Sequence, residues 1–296
     1  DTLLDPPESV AARALPEVTS RNLESSRMAV LRRGPWQVYF HYGQVDPSHA
    51  QAEALNYEAF FGATDVTHDA GTVGYGSPLH KELFQTAAAH NVPVVDGLGQ
   101  AGWNAGELLS FSDTAVAARQ AEYRPGVSAE RRLSIEEQRL VDSLKVVTTD
   151  GASHRLGLVV QVQGKVELTG EFAADSAAAF PHWAAGRSAK MGNVSRLMVR
   201  VGELRLELRV EANAPMKVTH AVTPDAPPAQ RESLYFEVAG QEATFLTTWQ
   251  PEAAVAEAAE DARTAAQRKR IEMNLLGASD TEGGESRRNE NVQFNL

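Results

Sequence analysis

Cysteine is missing from all 296 residues, which excludes disulfides, thiol nucleophiles and thiolate metal sites together. That absence leaves the redox compartment open. No apolar run approaches 18 residues, so a membrane-spanning helix is excluded. The opening "DTLLDPPESV" has no basic stretch leading into an apolar one, so no secretory signal is read there. It has no initiating Met either, and the expectation is a processed product or a piece of a longer protein. Positive charge is also scarce. Lys and Arg number 28 against 39 Asp and Glu, and the net charge of −11 argues against a nucleic-acid partner. An acidic polysaccharide is repelled at long range too, unless a local cluster of His, Lys and Arg reverses the field. The ordinary role of such an excess is solubility.

What is present is strand after strand. "RMAVLRR" and "WQVYFHYG" flank Gly34-Pro35, and "ALNYEAFF" and "TDVTHDAG" flank Gly62-Ala63; each pair reads as a hairpin. In "ELRLELRV", Leu204, Leu206, Leu208 and Val210 alternate with Arg205, Glu207 and Arg209, the period-two pattern of a half-buried strand. Further strands are read at "VPVVDG", "ELLSFS", "RRLSIEE", "LVDSLKVVTTD", "HRLGLVVQVQ", "KVELTG", "MKVTHAVT", "SLYFEVAG" and "ATFLTTW". "LHKELFQTAAAH" suits a short helix. Such a series of short strands and tight turns predicts an all-β fold, a large antiparallel β-sandwich. No β/α alternation is present, and "YGSPLH" and "GLGQAG" are not phosphate loops, since neither sits between a strand and a helix.

The composition divides the chain into residues 1–26, a Pro-, Glu- and Ser-rich linker or the end of a preceding domain; 27–250, the sandwich; 251–277, an Ala- and charge-rich helix capped by Gly277; and 278–296, a polar tail.

The chemistry-bearing residues crowd into "HAQAEALNYEAFFGATDVTHDAG" and the twenty or so residues beyond it. The first part reads as a strand with His49, Gln51 and Glu53 on one face, and the second ends at His68-Asp69 beside Gly71. Tyr75, His80 and His90 come next. A lone His at a strand end is usually a structural hydrogen-bonding residue, and Asp-Ala-Gly is usually a turn. Two chemistries nevertheless suit the group: a divalent metal with Asp69 and His90 as the pair of ligands, or proton transfer by Tyr75 and His49.

The motifs "VYFHYGQ", "PSHAQAEALNYEAF", "DAGTVGYGSPLH" and "AAAHNVPVVDGLGQ", in that order, resemble the C-terminal β-sandwich region of the heparinase II/III-like polysaccharide lyases. The form "HAQAEALNYE" is most similar to the oligoalginate lyase branch. The resemblance implies a supersandwich that completes the active cleft of an enzyme cutting uronic-acid polysaccharide by β-elimination, with alginate or oligoalginate as the substrate. The alternatives are a heparin- or heparan-like glycosaminoglycan, or a non-catalytic carbohydrate-binding or interaction sandwich whose Trp36, Trp103, Trp183 and Trp249 stack on sugars. The blandest reading is a structural sandwich whose histidines satisfy buried hydrogen bonds.

By the same resemblance His49 and Tyr75 are the catalytic pair, and Gln51, His68, His80 and Lys81 contact substrate. Gln51, Asp69 and His90 match the three positions that hold zinc in many members. Gln51 departs from the usual His. An amide is a poor zinc ligand, so the expectation is no tightly bound zinc, with His49 or His68 as replacement ligand if zinc or another divalent cation is held. The family's N-terminal (α/α) toroid is absent from this chain, which implies such a domain or partner chain beside an acidic polysaccharide. The resemblance implies a periplasmic or secreted enzyme, or a cytoplasmic one for a member that degrades oligosaccharides.

Overall fold

The computed structural model describes residues 18–252, except 45, 47–49 and 176. The catalytic candidate His49, the helix expected over 251–277 from residue 253 onward, and the polar tail lie outside the described residues.

Strands β1 (Arg21–Leu23), β2 (Met28–Arg33), β3 (Trp36–His41), β4 (Asn56–Phe61) and β5 (Thr64–Thr67) form one antiparallel meander. Next along the chain are β6 (Pro93–Val95), β7 (Glu107–Phe111), β8 (Ala115–Arg124), β9 (Val127–Glu136), β10 (Arg139–Thr148), β11 (His154–Val162), β12 (Lys165–Glu167) and β13 (Ala173–Ala174). Six strands come last: β14 (Ala184–Met191), β15 (Val194–Val201), β16 (Leu204–Ala212), β17 (Met216–Pro224), β18 (Gln230–Gly240) and β19 (Glu242–Pro251). Strands β6 to β19 build an eight-stranded sheet in the order β12-β15-β16-β19-β10-β9-β8-β7 and a six-stranded sheet in the order β13-β14-β17-β18-β11-β6. Every pairing is antiparallel, so the expected all-β sandwich is the fold. Strand β8 and strand β14 carry too many Ala and charged residues for a clear apolar alternation, and the sequence pattern passes over both.

All three sheets turn a face to one core. Leu31, Trp36, Val38 and Phe40 enter it from the first sheet, Leu206, Leu208 and Phe245 from the second, and Leu158, Val160 and Phe236 from the third. Polar anchors lock the sheets at their contacts. The Trp36 indole donates to the Gln138 carbonyl at 2.7 Å, and the Trp249 indole donates to the Tyr57 hydroxyl at 3.0 Å. Of the four tryptophans, Trp36, Trp183 and Trp249 are buried and Trp103 is substantially exposed, at 43 %.

Strand β11 is buried on both faces, which explains its continuous run "LGLVVQV". Its outer face, with Val159, joins Ala221 and Tyr235 in a second apolar cluster. Leu83, Phe84, Ala87 and Ala88 of the segment between β5 and β6 cover that cluster. The expected helix in this segment is two short pieces, a single wide turn at His80–Phe84 and a 3₁₀ turn at Ala87–Ala89. Its apolar side clamps the segment to the sheet and delivers His90 at its end.

Candidate functional site

Residues 51–55 are not strand: β4 begins at Asn56. The extended strand expected to present Gln51 and Glu53 on one face is instead an irregular segment. The Asn56 amide donates to the Glu53 carbonyl at 2.8 Å, and Leu55 sits at φ +69°. The Ala52 amide donates to the Gln85 carbonyl and the Ala54 amide to Gln100 Oε1, so this segment is tied to loops rather than to a ladder.

Three side chains converge there. Glu53, Asp69 and His90 place one oxygen or nitrogen each within 4.8 Å of one another. His90 Nδ1 lies 2.7 Å from Asp69 Oδ2, close enough for an ion pair but without hydrogen-bond alignment. His90 Nε2 donates to the Phe84 carbonyl at 3.1 Å, since a carbonyl can only accept. Asp69 Oδ1 accepts the Gly71 amide at 2.7 Å. Gly71 holds φ +67°, a conformation that favours glycine and explains the third position of "DAG". Asn56 Nδ2 donates to Glu53 Oε2 at 3.1 Å and lies 3.3 Å from Asp69 Oδ2, bridging the carboxylates.

The electrostatics are set by this crowding. Burial works against ionisation of Asp69, yet the facing His90 and the Gly71 amide hold its carboxyl down at about 2. Burial pushes the His90 ring down, and the charge and contact of Asp69 more than reverse it, so its pKa is raised. His41 lies 3.4 Å from Glu53 and behaves alike: burial lowers it and Glu53 raises it further. Burial and then the Asp69 charge push the Glu58 carboxyl up.

The frame that holds the cluster is invisible in the motifs. Arg131 of β9 is fully buried and grips Asp142 of β10 with two bonds, Nε to Oδ1 at 2.8 Å and Nη2 to Oδ2 at 2.6 Å. Its remaining nitrogen donates to the carbonyls of Leu55 and Asn91, the residues that close the Glu53 and His90 segments. The guanidinium also lies 4.6 Å from the centre of the Tyr57 ring. Asn91 adds its own bonds: its amide donates to Asn56 Oδ1 at 2.9 Å, its side chain donates to Tyr57 and Thr67 at 2.8 Å each, and the Gln161 amide donates to it at 2.7 Å. The only sequence trace of this device is an ionic residue on each of two neighbouring strands at positions where alternation expects apolar ones.

Gln51 does not join the three donors as a fourth bonded partner. Its Nε2 donates to the Gly71 carbonyl at 2.6 Å, and its Oε1 is buried with no hydrogen-bond partner. Tyr75 is 65 % exposed in the loop beyond Gly71, its ring edge-on to His80 at 4.7 Å. His80 is buried and bonded to Thr72 at 2.8 Å, so it props the tyrosine loop rather than facing solvent as a substrate contact. Lys81 is exposed. His68 turns away from Asp69. It bridges Asp225 and Asp65, whose bonds raise it to about 9, and its Nε2 also meets Gln163 at 3.3 Å. Neither His68 nor His80 is brought into the Glu53–Asp69–His90 group.

Two carboxylates and one imidazole form a donor set suited to a divalent cation. The His90 ring already gives its far N–H to a backbone carbonyl, the usual outer support of a metal-bound histidine. Its Nδ1 faces Asp69 Oδ2 in the cluster, and Gln51 Oε1 is left buried and unbonded. The residues present fit a cation, with Glu53 in the place where the sequence offers His49 or His68.

Residues 16–170 match the heparinase II/III-like C-terminal family, more than half of the chain. The chain belongs to the heparinase II/III-like family. A heparinase III structure superposes with a TM-score of 0.61 at 14 % identity, covering 81 % of this chain. The heparan sulfate lyase HepC from Pedobacter heparinus does so with a TM-score of 0.60 at 13 % identity, covering 80 %. At such identities these neighbours bear on the fold alone. The chain spans 37 % of the length of either neighbour. No curated protein sequence matches it.

Proposed function

We propose that this sandwich contributes to a polysaccharide lyase that cleaves uronic-acid-containing polysaccharide by β-elimination. The observation that carries the reading is the convergence of Glu53, Asp69 and His90, with Gln51 bonded to Gly71 at the start of the loop that exposes Tyr75, in a chain of this family.

β-Elimination needs a base for the weakly acidic proton at C5 of the uronate, charge or hydrogen bonds on its carboxylate, and an acid for the leaving oxygen at C4. Tyr75 is placed to move a proton because it is exposed and its ring is braced by His80. His49, two residues before Gln51, is the second proton-transfer candidate. Gln51 and Asp69 fix the Gly71 turn that starts the tyrosine loop. Glu53, Asp69 and His90 would hold a divalent cation, which supplies a fixed positive charge beside the loop when bound. A helical toroid domain or chain is the expected partner across the cleft.

Alginate is the proposed polymer. Heparin or heparan sulfate is the second reading, favoured by the two lyase-fold neighbours. The test is release of unsaturated product, followed by ultraviolet absorbance, from alginate and from heparan sulfate, by the chain alone and joined to a family toroid. Product from alginate supports the first reading and product from heparan sulfate the second. Tyr75→Phe should lower turnover about 10²–10⁴-fold while leaving substrate affinity near the parent's. No product from any uronate polymer with the toroid present overturns the proposal.

A further inference from the structure

The outer face of the eight-stranded sheet carries cations in positions where sheets avoid them. In the register of β12, β15 and β16, Lys165 lies directly opposite Arg200, and Arg200 directly opposite Arg205. Four residues back along β15, Arg196 faces Arg209. Like charges directly across a ladder repel at a strand spacing of about 4.8 Å and destabilise the pairing. Strands β12 and β15 also approach closely: a Cβ on Gly164 would lie 2.1 Å from the Arg200 carbonyl oxygen. The repulsion is thus built into a tightly packed corner of a protein whose net charge is −11.

Part of this charge is balanced. Arg205 meets Glu252 at 3.4 Å and Glu167 at 3.9 Å, and Arg209 pairs with Glu211. Arg196 and Arg200 are exposed and make no ion pair among the described residues. Beside Arg200 opens a cavity of about 440 Å³, lined also by Lys165, Gln163, Gln230, Arg231 and Glu232. The one carboxylate on that wall is spent. Glu232 accepts Lys165 Nζ at 3.0 Å, the Val166 amide at 2.7 Å and His220 Nε2 at 3.0 Å. On the inner wall Arg231 is 3 % exposed, with its Nε buried and unbonded. Its two terminal nitrogens donate to the carbonyls of His68 and Ala89, next to Asp69 and His90.

We propose that the row Lys165–Arg200–Arg205 and the cavity beside Arg200 form a second binding surface for an acidic polysaccharide, gripping its carboxylate or sulfate groups with residues other than Glu53, Asp69 and His90. The inference rests on the polysaccharide reading above. Guanidinium forks suit planar or tetrahedral oxyanions. A row at strand pitch suits a polymer with regularly repeated charges. Nucleic acid fits less well, because the cavity wall has no aromatic ring for base stacking.

The test is calorimetric titration of the full chain with size-matched oligosaccharides, one carboxylated only and one sulfated, at low and physiological salt, with duplex DNA as comparison. Salt-sensitive saccharide binding is expected, weaker for DNA. The oligosaccharide bound more tightly identifies which oxyanion the row prefers. Arg200→Glu should weaken binding about tenfold, and Arg200→Gln and Arg196→Gln by less. Both arginines are exposed, and far-ultraviolet circular dichroism checks that each variant folds. Lyase turnover of the toroid-joined chain is measured on the same arginine variants, so loss of lyase activity and loss of this surface are read separately. Unchanged affinity in Arg200→Glu, or DNA bound as tightly as saccharide, would each overturn the proposal.

Discussion

Two regions of this sandwich obey opposite rules. The β15–β16 hairpin is regular: Leu197 and Val199 face Leu208 and Leu206 across a ladder without a register shift, and every second side chain enters the core. The Glu53–Asp69–His90 region is irregular: Leu55 and Gly71 take positive φ, β4 and β5 shift register between Ala59 and Phe60, and the supporting bonds run from side chains to loop carbonyls. The hairpin draws its stability from apolar area, which many sequences can supply. The cluster draws its shape from a few buried polar groups, each of which must be satisfied. Regular structure tolerates change by degrees. The polar frame fails all at once.

The largest expected effect breaks that frame. Arg131→Met should destabilise the protein by about 3–5 kcal/mol, because it leaves Asp142 charged and buried and strips bonds from the Leu55 and Asn91 carbonyls. Urea unfolding measures the loss. Pairing it with Asp142→Leu should recover much of it, since the unpaired charge is then gone. If Arg131→Met stays within about 1 kcal/mol of the parent, the worth of one ordinary hydrogen bond, the frame is not what holds the site segments. The matching change in the hairpin is Leu208→Ala, expected to lose about 3 kcal/mol by cavity formation. The comparison sharpens if the two are read by hydrogen exchange. Leu208→Ala should loosen protection across the eight-stranded sheet, whereas Arg131→Met should loosen residues 51–56 and 85–92 first.

This contrast also explains what the sequence can show. Period-two alternation in "ELRLELRV" depends only on which face is wet, so the strand and its buried Leu204, Leu206 and Leu208 are legible without coordinates. The D-x-G turn and the "HN" after the alanine run are legible as motifs, and the structure brings Asp69 and His90 to 2.7 Å. Glu53 is legible on the right stretch but for the wrong reason. Alternation places it on a strand face, whereas the backbone turn at Leu55 carries it to Asp69. Arg131 and Asp142 are not legible at all as a pair. They lie on neighbouring strands two residues out of cross-strand register, and the alternation that puts each in a buried phase does not say which partner it meets. The separation of His68 from Asp69 is hidden for a similar reason: successive side chains point apart, and the second partner of His68, Asp225, is distant in the chain.

The irregular region also differs from the hairpin in offering a cation site that added metal can report. A divalent ion that binds only the folded chain raises its stability by about 2.7 kcal/mol at a hundredfold excess over Kd. Thermal unfolding with added Zn²⁺ or Mn²⁺ should therefore shift upward in the parent and return after chelation. Glu53→Gln should abolish the shift, since it removes one of the two carboxylates. Gln51→His should enlarge it, because the buried Oε1 of Gln51 marks a position where an imidazole replaces a weak ligand. Equal shifts in all three proteins would place the ion elsewhere.

The smallest effect belongs to the regular side, where Glu232 joins β18 to Lys165, Val166 and His220. Burial alone would raise its carboxyl, but the bonds from His220, Val166 and Lys165 lower it to about 2 from an ordinary 4.5. A carboxyl depressed on folding contributes stability that is present above 4.5 and is lost as pH falls toward 2. Glu232→Gln has no such group to protonate, so its stability should decline less steeply than the parent's across that window, by about 1 kcal/mol or less after solvent screening. Urea midpoints between about pH 5 and 2 measure the two slopes. Parallel slopes would mean that the three donors gain nothing by facing a charge. Glu232 would then be no electrostatic joint, and the polar frame around Arg131 would stand as the stronger case of a buried charge held by its partner.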